Sequence, residues 1–173
     1  ENETLFAVIF QEQSQIPGFP QENPEYSASL TAFQGLNELA KDNGAHSIAL
    51  MTWGRRSGDS SNEFRFPDFK TMQGHLRDGY YQYATKGSSP ERSVVVAPAG
   101  LTFEFIFDQL TQQGEDPLSA ESVFSQLYSG DGSHPAAPGT YLVACVLFAT
   151  ITGDTPVGLE WAPEGVDAIT RQT

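Results

Sequence analysis

The chain has 173 residues, of which 39% are hydrophobic, and this length and composition suit one globular domain spanning residues 1–173. Its formal net charge of −13, with only nine basic residues, argues against a nucleic-acid partner. The longest apolar run, YLVACVLFATI (141–151), is too short to cross a bilayer, so we expect no transmembrane segment.

The first half of the chain alternates between buried strands and an amphipathic helix. LFAVIFQ (5–11) is a near-continuous apolar run and predicts a strand buried on both faces, and HSIALMTW (46–53) predicts a second. Between them, residues 24–44 predict a helix that ends at Gly44. Its apolar stripe comprises Tyr26, Leu30, Phe33, Leu36 and Ala40.

The next elements continue this alternation. Residues 66–87 carry an apolar helical stripe that ends at Gly87, and RSVVVAP (92–98) predicts a third strand. GLTFEFIFDQL (100–110) alternates like a strand, but we predict a helix because a connection is due there. DPLSAESVFSQLY (116–128) predicts a short helix that opens with Asp and Pro in capping positions. The order predicts an α/β fold: a mainly parallel sheet with helices on both faces.

In such a sheet the ligand site lies beyond the carboxyl ends of the strands. The second strand is followed there by TWGRRSGDSSN (52–62), which carries Arg55 and Arg56. These arginines would bind a substrate carboxylate or phosphate, or else form a structural salt bridge with one of the many acids.

Asp131 and His134 lie three residues apart in SGDGSHPAAPG (129–139), ahead of a predicted helix that we expect Pro135 to start. A histidine base needs a carboxylate on its far nitrogen, and one turn is short enough to hold both groups. An Asp-Gly turn in which Asp131 or Ser133 caps the helix explains the same spacing equally well.

The stretch LYSGDGSHPAAPGTYLVACVLFATITGDTPVGL closely resembles the last block of the SGNH (GDSL-type) hydrolases, in which D-x-x-H-P precedes a helix. VIFQEQSQIPGF, LMTWGRRSGD, FPDFKTMQGHLRDGYYQYA and VVVAPAGLTF resemble internal blocks of the same branch. The resemblance implies a flavodoxin-like three-layer α/β/α fold and ester hydrolysis by a serine. It implies that Asp131 orients His134, the general base, and that Gln11 or Gln13 stands near the position of the family's oxyanion-stabilising Asn.

The family carries its nucleophile in a G-D-S or G-N-S turn after its first strand, upstream of all these blocks. GDSS (58–61) is separated from the second strand by GRRS and is better explained as a surface turn, which leaves Ser14 as a weak fallback. The chain therefore resembles the family from a later strand onward, and we expect the nucleophile to come from a missing N-terminal segment of a longer precursor, from another chain or from an unusual serine. Whether that precursor is secreted or organellar is left open.

Two functions follow. The first is an SGNH-type ester hydrolase that acts on a carbohydrate or lipid ester and for which these residues hold no well-placed nucleophilic serine. The alternative is a non-catalytic accessory or scaffold subunit whose protein partner covers the open sheet edge. We expect no cofactor and no metal, because His46, His75 and His134 are scattered and Cys145 lies in an apolar stretch, which is typical of a buried hydrophobe.

Overall fold

Three parallel strands form one sheet in the order β1-β2-β3: β1 (Ala7–Phe10), β2 (His46–Leu50) and β3 (Val95–Ala97). Ala7 pairs with His46, and Ile48 pairs with Val95. The computed structural model describes residues 6–164 and 166. Five helices accompany the strands: α1 (Pro24–Asp42), α2 (Phe69–Gly87), α3 (Ala99–Gln112), α4 (Val123–Gln126) and α5 (Ala137–Thr152). The described residues divide into unit 1 (6–52 and 74–98) and unit 2 (53–73, 99–164 and 166).

Unit 1 contains the sheet, with α1 packed against β1 and β2. The Asn23 side chain caps α1 by accepting a hydrogen bond from the Glu25 N–H at 2.7 Å. The predicted stripe is buried except at Leu36, which is 51% exposed, so that part of the prediction was wrong. Asn37 occupies the buried face instead, since it lies four residues after Phe33, and its amide donates to the Gly87 carbonyl at 2.8 Å.

The prediction that β1 is buried on both faces was wrong. Its residues are half-buried or exposed, and the Ile9 side chain is 42% exposed. The reason is its position in the sheet: among the described residues, β1 pairs with β2 alone, so its second edge has no strand beside it. An apolar run does not reveal how many neighbours a strand has.

Unit 2 is built from α3, α4, α5 and the segment 53–73. Its buried core consists of Phe69, Phe103, Ile106, Leu110, Phe124, Leu127 and Tyr128. GLTFEFIFDQL is helical, as predicted, within α3. The helix predicted over 116–128 is confined to Val123–Gln126, because Ser122 rather than Asp116 caps it. The Pro117 carbonyl accepts hydrogen bonds from the hydroxyls of Ser122 and Ser125, which holds the preceding residues in turns.

Helix α5 begins at Ala137, two residues later than predicted, with Pro138 in its first turn. Pro135 instead forms an antiparallel bridge with Tyr128, so it belongs to the preceding loop. The helix is apolar all round, yet Gly139 is its one fully buried residue and Cys145 is half-buried. No helix among residues 6–164 and 166 is both long and apolar enough to span a bilayer.

The fold class is α/β, as predicted: a three-stranded parallel sheet with five helices, consistent with a flavodoxin-like α/β/α architecture. That the chain folds as one domain stays a prediction.

Candidate functional site

The loop between α4 and α5 is closed by its own backbone. Ser129 N–H donates to the His134 carbonyl at 2.8 Å, and Ala136 N–H donates to the Leu127 carbonyl at 2.8 Å. At its tip, Gly132 has φ +66°, a conformation that side-chain-bearing residues rarely adopt. We call residues 127–136 the dyad loop.

Asp131 and His134 are in direct contact in this loop. The Asp131 Oδ2 lies 2.6 Å from Nδ1 of His134. The other oxygen, Oδ1, accepts hydrogen bonds from the Ser129 hydroxyl at 2.8 Å and from the N–H groups of Ser133 and His134 at 2.8 and 2.9 Å. One oxygen of Asp131 therefore builds the Asp turn and the other contacts the imidazole, while the role of the pair in catalysis stays a prediction. Asp131 does not cap α5, whose N-cap is Ala136 without a side-chain bond.

The carboxylate is strongly stabilised in its ionised form. The hydrogen bond from His134, followed by those from the Ser133 and His134 backbone and the Ser129 hydroxyl, holds the pKa of Asp131 far below its usual range. The His134 side chain is 80% exposed, and no described residue bonds its Nε2. With Nδ1 held by a carboxylate, the free Nε2 is available to exchange a proton with a ligand.

The segment directly after β2 clamps the dyad loop within unit 2. The Trp53 indole N–H donates to the Ser133 carbonyl at 3.1 Å, and the Tyr128 hydroxyl donates to the Gly54 carbonyl at 2.6 Å. Arg56 N–H donates to the Gly132 carbonyl at 2.8 Å. Three hydrogen bonds therefore fix the loop to a segment that is more than 70 residues away in the chain.

Arg55 is engaged in a structural ion pair. Its guanidinium lies 2.6 Å from Oδ1 of Asp59, a carboxylate with 0% side-chain exposure. Asp59 also accepts hydrogen bonds from Ser61 N–H and the Asn62 amide, so it organises the turn that follows. The salt-bridge alternative for Arg55 is thus the one the structure contains, and a substrate role for Arg55 stays a prediction. The GDSS letters lie in this turn, with Gly58 at φ +80° and a short 3-10 helix at Ser60–Asn62.

The remaining candidates follow β1 in unit 1. Gln11 and Gln13 are exposed, and the Gln13 side-chain oxygen accepts from Gln15 N–H at 2.8 Å. Ser14 is half-buried, and its hydroxyl has no hydrogen-bond partner among the described residues. Their roles as oxyanion donors and as nucleophile stay predictions.

Unit 1 also contains a cavity of about 220 Å³ that β1 helps to line. Its walls come from β1, the residues just after it, β2, α1 and α2. Glu12 accepts a hydrogen bond from the Ser29 hydroxyl at this cavity. The Tyr83 hydroxyl is buried there without a hydrogen-bond partner, and burial raises its pKa to about 12.

Two solved structures resemble the chain. One is a candidate SGNH hydrolase from Slackia heliotrinireducens, with a TM-score of 0.62 and 24% identity; the match covers 87% of this chain and 67% of that one. The chain has an SGNH-like fold. The other is a DUF4886 family protein from Bacteroides uniformis ATCC 8492, with a TM-score of 0.69, 16% identity, and coverage of 99% of this chain and 60% of that one. No family model and no curated protein matches the chain.

Within the described residues, no group of three or more His, Cys, Asp or Glu side chains is arranged to hold a metal ion. Sequence reasoning paired Asp131 with His134 but missed Trp53, Tyr128 and the contact of Arg56 with Gly132. The one signal for these contacts was local composition: WGRR (53–56) places an aromatic residue and two cations at the end of a predicted strand, where a site is expected.

Proposed function

We propose that this chain is an SGNH-type serine ester hydrolase domain in which Asp131 and His134 form the base, and that it acts on a carbohydrate or lipid ester such as an acetyl ester. The observation that carries the proposal is the 2.6 Å contact between Asp131 Oδ2 and His134 Nδ1, with Nε2 exposed. The SGNH-like fold supports it.

In the proposed reaction, Nε2 of His134 accepts the proton of a serine hydroxyl as its oxygen attacks the ester carbonyl. The protonated imidazole then donates that proton to the departing alcohol, which leaves an acyl-serine. Water attacks the acyl-serine, His134 again accepts and returns a proton, and the free acid is released. Asp131 stabilises the imidazolium in both steps.

The serine is proposed to come from a strand that pairs with the free edge of β1, with Ser14 as the alternative. Two observations support this source. The outer edge of β1 is open among the described residues. The chain spans only 67% and 60% of the two similar structures, so each of those proteins has further chain outside the match.

A fluorophosphonate probe tests the proposal, because it reacts covalently with an activated serine. The protein expressed from its whole gene should hydrolyse p-nitrophenyl acetate and bind one probe per chain, and peptide mass spectrometry then locates the serine. His134→Ala should abolish both signals. The matched control is His46→Ala, which removes an exposed histidine of β2 and should leave both unchanged. Turnover that survives His134→Ala would refute the proposal.

The alternative function is a non-catalytic accessory subunit, and the free β1 edge with its cavity favours it. His46 N–H donates to the Phe6 carbonyl. In a parallel strand the backbone groups of alternate residues face the same neighbour, so Val8 also bonds to β2. The N–H of Ile9 therefore points away from β2. An exposed edge of this kind invites pairing with another strand.

Amide hydrogen exchange separates the two functions. If a strand of the same protein covers the edge, the Ile9 and Val8 amides should be similarly protected in the isolated protein. If a separate partner covers it, Ile9 should exchange rapidly while Val8 stays protected, and no serine should react with the probe.

A further inference from the structure

Arg56 places a guanidinium against the tip of the dyad loop. Its N–H bonds the Gly132 carbonyl, and a methyl group built at Gly132 would lie 3.6 Å from its Nε and 3.7 Å from its Nη2. Gly132 lies between Asp131 and His134 in the loop. The guanidinium therefore lies against the residue that joins the two halves of the dyad loop's Asp-Gly-Ser-His sequence.

Within residues 6–164 and 166, the Arg56 guanidinium has no ionic or hydrogen-bonded partner. Six other lysines and arginines of the described residues each have a polar or charged partner, as Lys70 does with Glu104 and Asp108. Both nearby acids are already engaged. Asp59 pairs with Arg55, and Asp131 accepts four bonds from the dyad loop. In a chain of net charge −13, an arginine left without an acid is available to an outside anion.

The backbone segment that carries Arg56 is held in place before any ligand arrives. The preceding Gly54 donates its N–H to the Gln73 side chain at 2.8 Å and accepts from Tyr128. The Cβ of any larger residue at position 54 would lie 2.9 Å from the Phe69 carbonyl oxygen, so the backbone there is closely packed. A guanidinium on a rigid segment pays little ordering entropy on binding, and its planar fork matches a carboxylate.

We propose that Arg56 binds a carboxylate of the ester substrate, so that the site selects esters that carry a negative charge. This inference rests on the proposed function, because it assumes that the ester reaches His134. The substrate class is an ester whose acyl or alcohol part bears a free carboxylate. Arg56 is a specificity-determining residue and takes no part in proton transfer.

The kinetic test compares two esters of similar size, p-nitrophenyl hemisuccinate and neutral p-nitrophenyl butyrate. Arg56→Gln should lower kcat/KM for the hemisuccinate about tenfold or more, mainly through KM, and leave the butyrate within twofold. Arg56→Lys should restore part of the loss, since lysine keeps the positive charge but cannot form the two parallel hydrogen bonds of a guanidinium. Arg77→Gln, at an exposed arginine of α2, is the control and should change neither ester. Equal losses for both esters would overturn the proposal.

A binding test does not depend on turnover. Monomethyl succinate should shift the backbone amide resonances of Gly132 and His134 saturably in the wild type and in Arg77→Gln, but not in Arg56→Gln. Dimethyl succinate, its neutral counterpart, should not. Shifts that persist in Arg56→Gln, no saturable shift, or saturation by inorganic phosphate alone would each overturn the carboxylate site. Binding without hydrolysis of either nitrophenyl ester would refute the hydrolase function and leave the anion site standing.

Discussion

Asp131 holds both the ring and the backbone of His134: Oδ2 lies 2.6 Å from Nδ1, and Oδ1 accepts the His134 N–H at 2.9 Å. Asp131 therefore fixes both the backbone position of His134 and the orientation of its ring. The hydrogen bonds that set this geometry lie within six residues, from Ser129 to His134, and those from Trp53 and Arg56 hold the loop in place.

Asp131 and His134 should act as one unit in catalysis. We expect His134→Ala to lower kcat about a hundredfold or more, since general base catalysis contributes that much. Asp131→Ala should cause a comparable loss, and the double variant should be no slower than His134→Ala alone, because each change disables the same base. Steady-state rates with p-nitrophenyl acetate check this. Losses that multiply in the double variant would show that the two residues act separately.

Asp131 should also make the free energy of unfolding depend on pH. Its pKa is lowered on folding, so its ionised form stabilises the folded state fully above the unfolded Asp pKa, about 3.9, and this contribution is lost as pH falls from there toward the folded pKa. Asp131→Asn keeps an oxygen acceptor but removes the charge. The difference in unfolding free energy between wild type and variant, measured by urea denaturation, should be largest at pH 7 and shrink by pH 2.5. Asp42→Asn, at the exposed end of α1, is the control. A difference that is independent of pH would contradict the assignment.

Much of the fold follows from local periodicity. The spacing of Tyr26, Leu30 and Phe33 predicts α1. FEFIF alternates like a strand, but α3 buries residues at helical spacing, Phe103, Ile106 and Leu110. The exposure of Ile9 was not predictable, since it depends on how many strands flank β1. In the site, the contact between Asp131 and His134 follows from a three-residue spacing. The contacts of Trp53 and Tyr128 join residues 80 and 74 positions apart, and no local pattern encodes them.

Gly139 permits the close approach of α5 to the dyad loop. A Cβ there would lie 2.2 Å from the Leu127 carbonyl oxygen, which is backbone and has little freedom to move. We expect Gly139→Ala to destabilise the protein by about 1–3 kcal/mol, measured by urea denaturation. Gly35→Ala in α1 is the control, because nothing lies within 4 Å of its added Cβ, and it should be neutral or stabilise by up to about 1 kcal/mol. Similar effects at both positions would contradict the packing argument.

Removal of a buried tyrosine hydroxyl should have opposite effects on the unfolding free energy at Tyr128 and at Tyr83. Tyr128 donates to the Gly54 carbonyl at 2.6 Å, so Tyr128→Phe leaves a buried acceptor without its donor and should cost about 1–3 kcal/mol of unfolding free energy. Tyr83 has a buried hydroxyl without a partner, so Tyr83→Phe removes an unsatisfied group and should be neutral or stabilising by up to about 1 kcal/mol. Chemical denaturation of both variants at pH 7 measures the difference. A loss of unfolding free energy in Tyr83→Phe equal to that in Tyr128→Phe would contradict the prediction.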